Sequence, residues 1–238
     1  MKREIIITAD GSSTIHIPEW NEQYHSKHGA IQEAYHVFIK HGLHHFYNQE
    51  YLLDRNRKVK NPLNILEIGF GTGLNAFITL IESKKRALNI YYNGVEAYPI
   101  SEDEIQALNY TEELRTENSK VFFKKIHSIP WEERHQINDN FKLIKQKKFF
   151  SEINDTATYN LIYFDAFGAR VQPELWTETI FKIMYKALKP EGILVTYSAK
   201  GSVRRAMQAV GFTVERLPGP PGKREMLRAT KHSAIPNQ

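Results

Sequence analysis

Beyond residue 60 the sequence alternates short apolar runs with segments of helical periodicity, and it closes on two apolar runs with no helix between them. That order constrains the fold more than any other feature. Asn64-Ile-Leu-Glu-Ile68 reads as a strand, and Asn75 to Glu82 as a helix. Ile90 to Glu96 is the next strand, and Ser101 with Glu104 forms a capping-box pattern that opens a helix to about Arg115. Between 117 and 150 the clearest strand is Phe141 to Lys145. Asn160-Leu-Ile-Tyr-Phe-Asp165 is another strand. A helix from Pro173 through Leu175–Leu188 follows, stopped by Lys189-Pro-Glu-Gly192. Ile193 to Ser198, a short helix Ser202–Val210, then Phe212–Arg216 and Arg224–Thr230 complete the series. Strand–helix alternation predicts a doubly wound, mainly parallel seven-stranded α/β sheet. The last pair must be antiparallel, because a parallel pair needs a crossover of about a dozen residues or more.

Residues 1–60 read as an accessory region ahead of a main domain at 61–238. Glu4–Thr8 and Thr14–Ile17 flank Ala9-Asp10-Gly11-Ser12 as a hairpin, and Gly29–His45 carries apolar residues at helical spacing. A chain of 238 residues can bury a substantial core, and its lack of cysteine excludes disulfides and thiolate chemistry. No apolar run has the length of a membrane span or a signal peptide, so a cytoplasmic protein is expected. His41 and His45 lie one helical turn apart without an evident third ligand, and no metal is expected.

The turn after the first of these strands is Glu67-Ile-Gly69-Phe-Gly71-Thr-Gly73-Leu-Asn75. Glycines there let a backbone approach a ligand closely, and the following helix offers its N-terminal N–H groups. A dinucleotide loop would place its third glycine at Leu74; here it comes one residue early. Glu96 ends the next strand, where an acidic side chain can accept both hydroxyls of a ribose. A brace role, with both glutamates satisfied by nearby backbone N–H groups, is the alternative. No Gly-Lys-Ser/Thr follows the turn, which argues against a phosphate loop.

Asp165 stands at the carboxyl end of its strand, the edge where open α/β sheets bind ligands. A carboxylate there can receive a substrate amine, orient it and take its proton; bracing the following loop is the other reading. Charge adds a partner class. Lys200 onward holds eight Lys and Arg against two Glu, a net +6, so residues 1–199 carry −1 of the chain's +5. Arg55, Arg57, Lys58 and Lys60 form a smaller cluster. Concentrated positive charge is the footprint of a polyanion, or otherwise a solvated face.

The elements Glu67–Asn75, Val95-Glu-Ala-Tyr-Pro-Ile100, Asp165–Trp176, Ser198-Ala-Lys-Gly-Ser-Val-Arg-Arg205, Ala209-Val-Gly-Phe212 and Lys223-Arg-Glu-Met-Leu227 occur together and in order. With Tyr24–Gly29 and Tyr35–Phe38 the chain resembles, over roughly residues 20–230, the methyltransferase domain of the bifunctional tRNA-modifying MnmC family. The resemblance implies an S-adenosylmethionine-dependent methyltransferase (Rossmann-like) fold. It also implies cofactor contacts at Glu67, Gly69, Gly71, Thr72, Gly73, Asn75 and Glu96, and catalysis by Asp165. The implied reaction is methylation of the 5-aminomethyl group of the wobble uridine of tRNA, on a substrate made by upstream modifying enzymes. Phe167, Trp176 and Tyr197 are the candidates to receive the base, Phe167 foremost, and Arg204, Arg205, Lys223 and Arg224 are expected to hold the anticodon region. With the sequence ending at Gln238, the family's flavin oxidase domain is not expected, and the stand-alone form is. Two departures stand out: Asp165-Ala166-Phe167 replaces Asp-Gly-Phe, and Ile144–Lys148 lacks the family's Gly-Asp pair. A transferase of methyl or aminopropyl groups to small amines, and a non-catalytic RNA-binding protein, are the competing readings.

Overall fold

The computed structural model describes residues 2–53 and 62–233. The Arg55–Lys60 cluster lies outside them. Strands β1 (Glu4–Ile7) and β2 (Ser13–Ile17) form the expected hairpin, and the two-residue strand β3 (Glu22–Gln23) extends it to a small antiparallel sheet. Helix α1 (Ala30–Ala34) runs into a π-helical stretch, Tyr35–His44, and on into α2 (His45–Leu53). This long helix presses close to the main sheet at Gly42. A Cβ there would come within 3.1 Å of Val195 and 3.2 Å of the Tyr163 ring. Val37, Phe38 and Leu43 thereby join the core on one face of the main sheet, so the N-terminal helix and that face share one apolar layer.

The main sheet is built from β4 (Leu63–Ile68), β5 (Ile90–Val95), β6 (Arg134–Asn138), β7 (Phe141–Gln146), β8 (Tyr159–Phe164), β9 (Leu188–Thr196), β10 (Thr213–Pro218) and β11 (Glu225–Thr230). Its order is β10-β11-β9-β8-β4-β5-β7-β6. The five central strands are parallel, and β11 lies antiparallel between β9 and β10, as the short closing loop requires. An eighth strand, β6, was not expected; it pairs antiparallel with β7 at the far edge.

Side chains of the central strands alternate between two apolar layers, which is why these strands read as nearly unbroken apolar runs. Leu161 and Tyr163 join the layer under the N-terminal helix, while Ile162 and Phe164 join the opposite one. Helices α3 (Leu74–Arg86) and α6 (Ser119–Ser128) contribute to the first layer, with the short α4 (Glu102–Gln106) and α5 (Tyr110–Leu114) beside them. Helices α7 (Glu178–Ala187) and α8 (Gly201–Ala209) cover the second.

Three local readings change. The capping box at Ser101 forms, but the helix stops at Gln106 and restarts at Tyr110, because Asn109 turns to the N-terminal hairpin. Its Oδ1 accepts from the Ser13 amide at 2.7 Å and its Nδ2 donates to the Gly11 carbonyl at 2.8 Å. Pro173–Trp176 is a separate 3-10 turn ahead of α7. Leu188, read as the last helical residue, and Lys189–Gly192, read as the helix stop, instead open β9 across a register irregularity opposite Tyr159–Leu161.

Candidate active site

The carboxyl ends of β4, β5 and β8 meet beneath the glycine turn. Gly69 has φ +85°, and a Cβ on it would lie 2.7 Å from the Asp165 carbonyl oxygen; the left-handed backbone and the close approach together require glycine. The Gly71 amide donates to Glu96 Oε2 at 3.0 Å, and the Tyr98 amide donates to Oε1 at 2.9 Å. Glu96 is thus fixed by one backbone donor on each oxygen while remaining part of a cavity wall. Each oxygen keeps capacity to accept a further hydrogen bond.

Glu67 sits below that wall. It is fully buried, accepting from Asn75 Nδ2 at 3.0 Å and from the Tyr92 hydroxyl at 2.9 Å, and burial pushes its carboxyl well up. Thr72, Gly73 and Asn75 are buried too, and none of the four is among the cavity-lining residues. Asn75 Nδ2 reaches a second carboxylate, Asp165 Oδ2, at 2.8 Å. One amide group therefore links the two acidic strand ends.

Asp165 follows β8 with its side chain 7% exposed. Burial, reinforced by the negative charge of Glu33, raises its pKa to about 7; the Asn75 hydrogen bond and the Lys223 charge act against that rise. His25 Nδ1 stands 4.0 Å from Asp165 Oδ2. Burial lowers the His25 pKa to about 4, so the ring is neutral at physiological pH.

A cavity of about 1160 Å³ opens above these groups. One end is walled by Glu96, Tyr98 and Phe149, the last two exposed aromatics whose rings meet edge to face at 6.1 Å. The other end holds Asp165, Phe167 and Tyr197. Phe167 is half-buried, its ring in edge contact with Trp20 at 5.4 Å and Tyr24 at 5.0 Å. Trp176 is core: buried, its indole N–H donates to the Phe167 carbonyl at 2.7 Å.

The basic residues divide. Lys223 lines the cavity, but its ammonium pairs with Glu33 Oε1 at 2.5 Å and lies 3.7 Å from the Tyr197 ring centroid. The lysine expected to help hold the anticodon region is thus engaged in an ion pair within the protein. Arg204 and Arg205 lie on α8, and Arg224 on the loop before β11, outside the cavity lining; Arg205 and Arg224 are exposed. No ion pair is recorded for these three arginines among the described residues. Where the Gly-Asp pair is missing, Lys145 turns inward: its ammonium donates to the His127 carbonyl at 2.6 Å and sits over the Trp131 ring, and burial lowers its pKa to about 8.

Sequence reasoning missed His25, Glu33, Tyr98 and Phe149. Tyr98 had a signal, an aromatic two residues past the strand-end Glu96. Glu33 had none, since its partner lies far away in the chain, and His25 stood only as one residue of the Tyr24–Gly29 match.

A strand-end glutamate with acceptor capacity to spare, two exposed aromatics and a buried carboxylate on one cavity fit a nucleoside cofactor with a cationic reacting end. Residues 108–232 match the family described as S-adenosyl-L-methionine-dependent methyltransferase, and the chain belongs to it, with S-adenosylmethionine as its cofactor. It is 28% identical over 236 residues to the tRNA 5-methylaminomethyl-2-thiouridine biosynthesis bifunctional protein MnmC of Leptospira borgpetersenii serovar Hardjo-bovis, covering 92% of this chain and 33% of that protein. The protein of the same name from Leptospira interrogans serovar copenhageni is 30% identical over 217 residues, covering 88% and 32%. The chain thus spans about a third of the length of these curated relatives. The crystal structure of MNMC2 from Aquifex aeolicus superposes with a TM-score of 0.75 at 24% identity, covering 100% of this chain and 72% of that one. Among the described residues no helix is long and apolar enough to cross a membrane.

Proposed function

We propose that the chain methylates the 5-aminomethyl nitrogen of the wobble uridine in tRNA, giving 5-methylaminomethyl(-2-thio)uridine, on a substrate prepared by upstream modifying enzymes. The observation that carries the reading is Asp165: a buried strand-end carboxylate held on Oδ2 by Asn75, beside a cavity that an extruded base can enter. The names of the relatives supply the substrate class.

S-adenosylmethionine, when bound, supplies a methyl group on a positively charged sulfur. Glu96 would hold its ribose hydroxyls, Tyr98 and Phe149 would flank its base, and the backbone around Gly69 and Gly71 would line its path. Asp165 accepts an N–H of the substrate amine, fixes the nitrogen's direction and takes the proton that nitrogen sheds as its bond to carbon forms. A carboxyl group titrating near 7 is a better match for an amine than one at its ordinary 3.8. Phe167, backed by Trp20 and Tyr24, offers a face for the extruded base. Arg204, Arg205 and Arg224, the last two exposed, supply charge for the anticodon stem-loop.

Nucleoside analysis of tRNA from cells lacking the protein tests the reading in its cellular setting. Loss of 5-methylaminomethyl nucleosides with accumulation of their 5-aminomethyl precursors is expected. Unchanged nucleosides would contradict it.

A further inference from the structure

We propose that His25 is a positioning residue for Asp165: its Nδ1–H faces Asp165 Oδ2 and, together with Asn75, secures that oxygen so that Oδ1 meets the substrate amine. The inference rests on the reading of Asp165 as the amine acceptor. It follows from one buried chain of hydrogen bonds. The Tyr110 hydroxyl donates to Thr72 Oγ1 at 3.1 Å, and Thr72 Oγ1 lies 2.8 Å from His25 Nε2. Thr72 has one hydroxyl proton, and the acceptor within reach is that ring nitrogen. A neutral histidine that accepts on Nε2 carries its proton on Nδ1, the atom 4.0 Å from Asp165 Oδ2. The separation is too long for a hydrogen bond and leaves the Nδ1–H dipole to act on the carboxylate through space. Thr72 and Asn75, both placed in the cofactor loop by sequence, thereby bear on Asp165 Oδ2, Asn75 directly and Thr72 through His25.

The charge balance around Asp165 gives His25 its effect. Glu67 faces it from β4, Tyr92 from β5, Tyr110 from α5, Glu33 from α1, Tyr197 from the segment after β9 and Lys223 from the loop before β11. Asn75 and Lys223 favour the ionised carboxylate, while burial and Glu33 oppose it. An N–H aimed at Oδ2 adds to the side that keeps Asp165 able to take a proton.

The test is a carbon-13 carboxyl titration by NMR, with the Asp165 signal assigned by its loss in Asp165→Asn. In His25→Phe the Asp165 midpoint should rise by about one pH unit. In His25→Asn, which keeps a donor near the Nδ1 position, it should stay close to the parent value. Thr72→Val, which frees the tautomer, should raise it by a smaller amount, and it decides the matter if His25→Phe does not fold. The acid limb of kcat/KM on aminomethylated tRNA should move with the midpoint. An unmoved midpoint in the folded variant overturns the proposal whether or not the enzyme is active. Failure of the parent protein to methylate that tRNA would instead overturn the functional reading and leave the titration standing by itself.

Discussion

Glu33 and Lys223, separated by 190 positions in sequence, form a 2.5 Å ion pair beside Asp165. The pair joins the N-terminal helix to the loop before β11 and closes one side of the cavity. Because the Glu33 side chain is 6% exposed and Lys223 32%, removing the lysine strands a buried carboxylate. Lys223→Met should destabilise the fold by about 1–3 kcal/mol, whereas Glu33→Gln with Lys223→Met together should recover part of that loss. Denaturant unfolding of the two variants measures this. A neutral effect of Lys223→Met would show that the pair is not formed in solution.

Asp165 carries the next prediction. Its folded pKa of about 7 lies above the unfolded value near 3.8, so the folded state holds more protons and loses stability as pH rises through that window. Asp165→Asn removes this penalty. The variant should gain stability over the parent as pH climbs from 4 to 7, by an amount on the order of 2–4 kcal/mol at neutral pH. Turnover should fall about a hundredfold or more, with cofactor affinity nearly unchanged. Melting temperatures across pH and calorimetric cofactor binding check both halves.

In the proposed reading Glu96 holds the cofactor and takes no part in the chemical step. Glu96→Ala should weaken S-adenosylmethionine binding about tenfold or more through loss of two charge-assisted hydrogen bonds. Removing the aromatic wall with Tyr98→Ala and Phe149→Ala should act in the same direction. Isothermal titration calorimetry reads each. Undiminished affinity in Glu96→Ala would move the ribose elsewhere.

Arg204, Arg205 and Arg224 should behave differently from Lys223 toward tRNA. Each arginine-to-alanine change should lower affinity across tRNAs and reduce the salt slope by about one when the residue meets a phosphate. Lys223, already paired, should leave the slope unchanged. Salt-dependent filter binding distinguishes the two kinds of cation.

Much of the site was legible because strand ends are. Asp165 and Glu96 each close an apolar run, and the glycine turn between β4 and α3 has a spacing that separates it from other nucleotide loops. The direction in which Lys223 points was not legible, since its partner lies on a helix at the other end of the chain. Asn109 broke an expected helix for the same reason: its side chain satisfies a hairpin 96 and 98 residues away. Helix α6 went unread although Asn118 is a residue type suited to an N-cap; in the structure it sits at φ 60° and makes no side-chain cap. Glu67 and Thr72, placed in the cofactor loop by motif, lie beneath it, where burial and hydrogen bonding decide their work.

The most direct test of the account is methyl transfer in a purified system. Protein, methyl-labelled S-adenosylmethionine and tRNA bearing 5-aminomethyl(-2-thio)uridine should yield label in the wobble nucleoside, recovered as 5-methylaminomethyl(-2-thio)uridine. The same tRNA with unmodified uridine, and free small amines, should remain unlabelled. Label on free amines, or no transfer to the aminomethylated tRNA by folded, cofactor-binding protein, would contradict it.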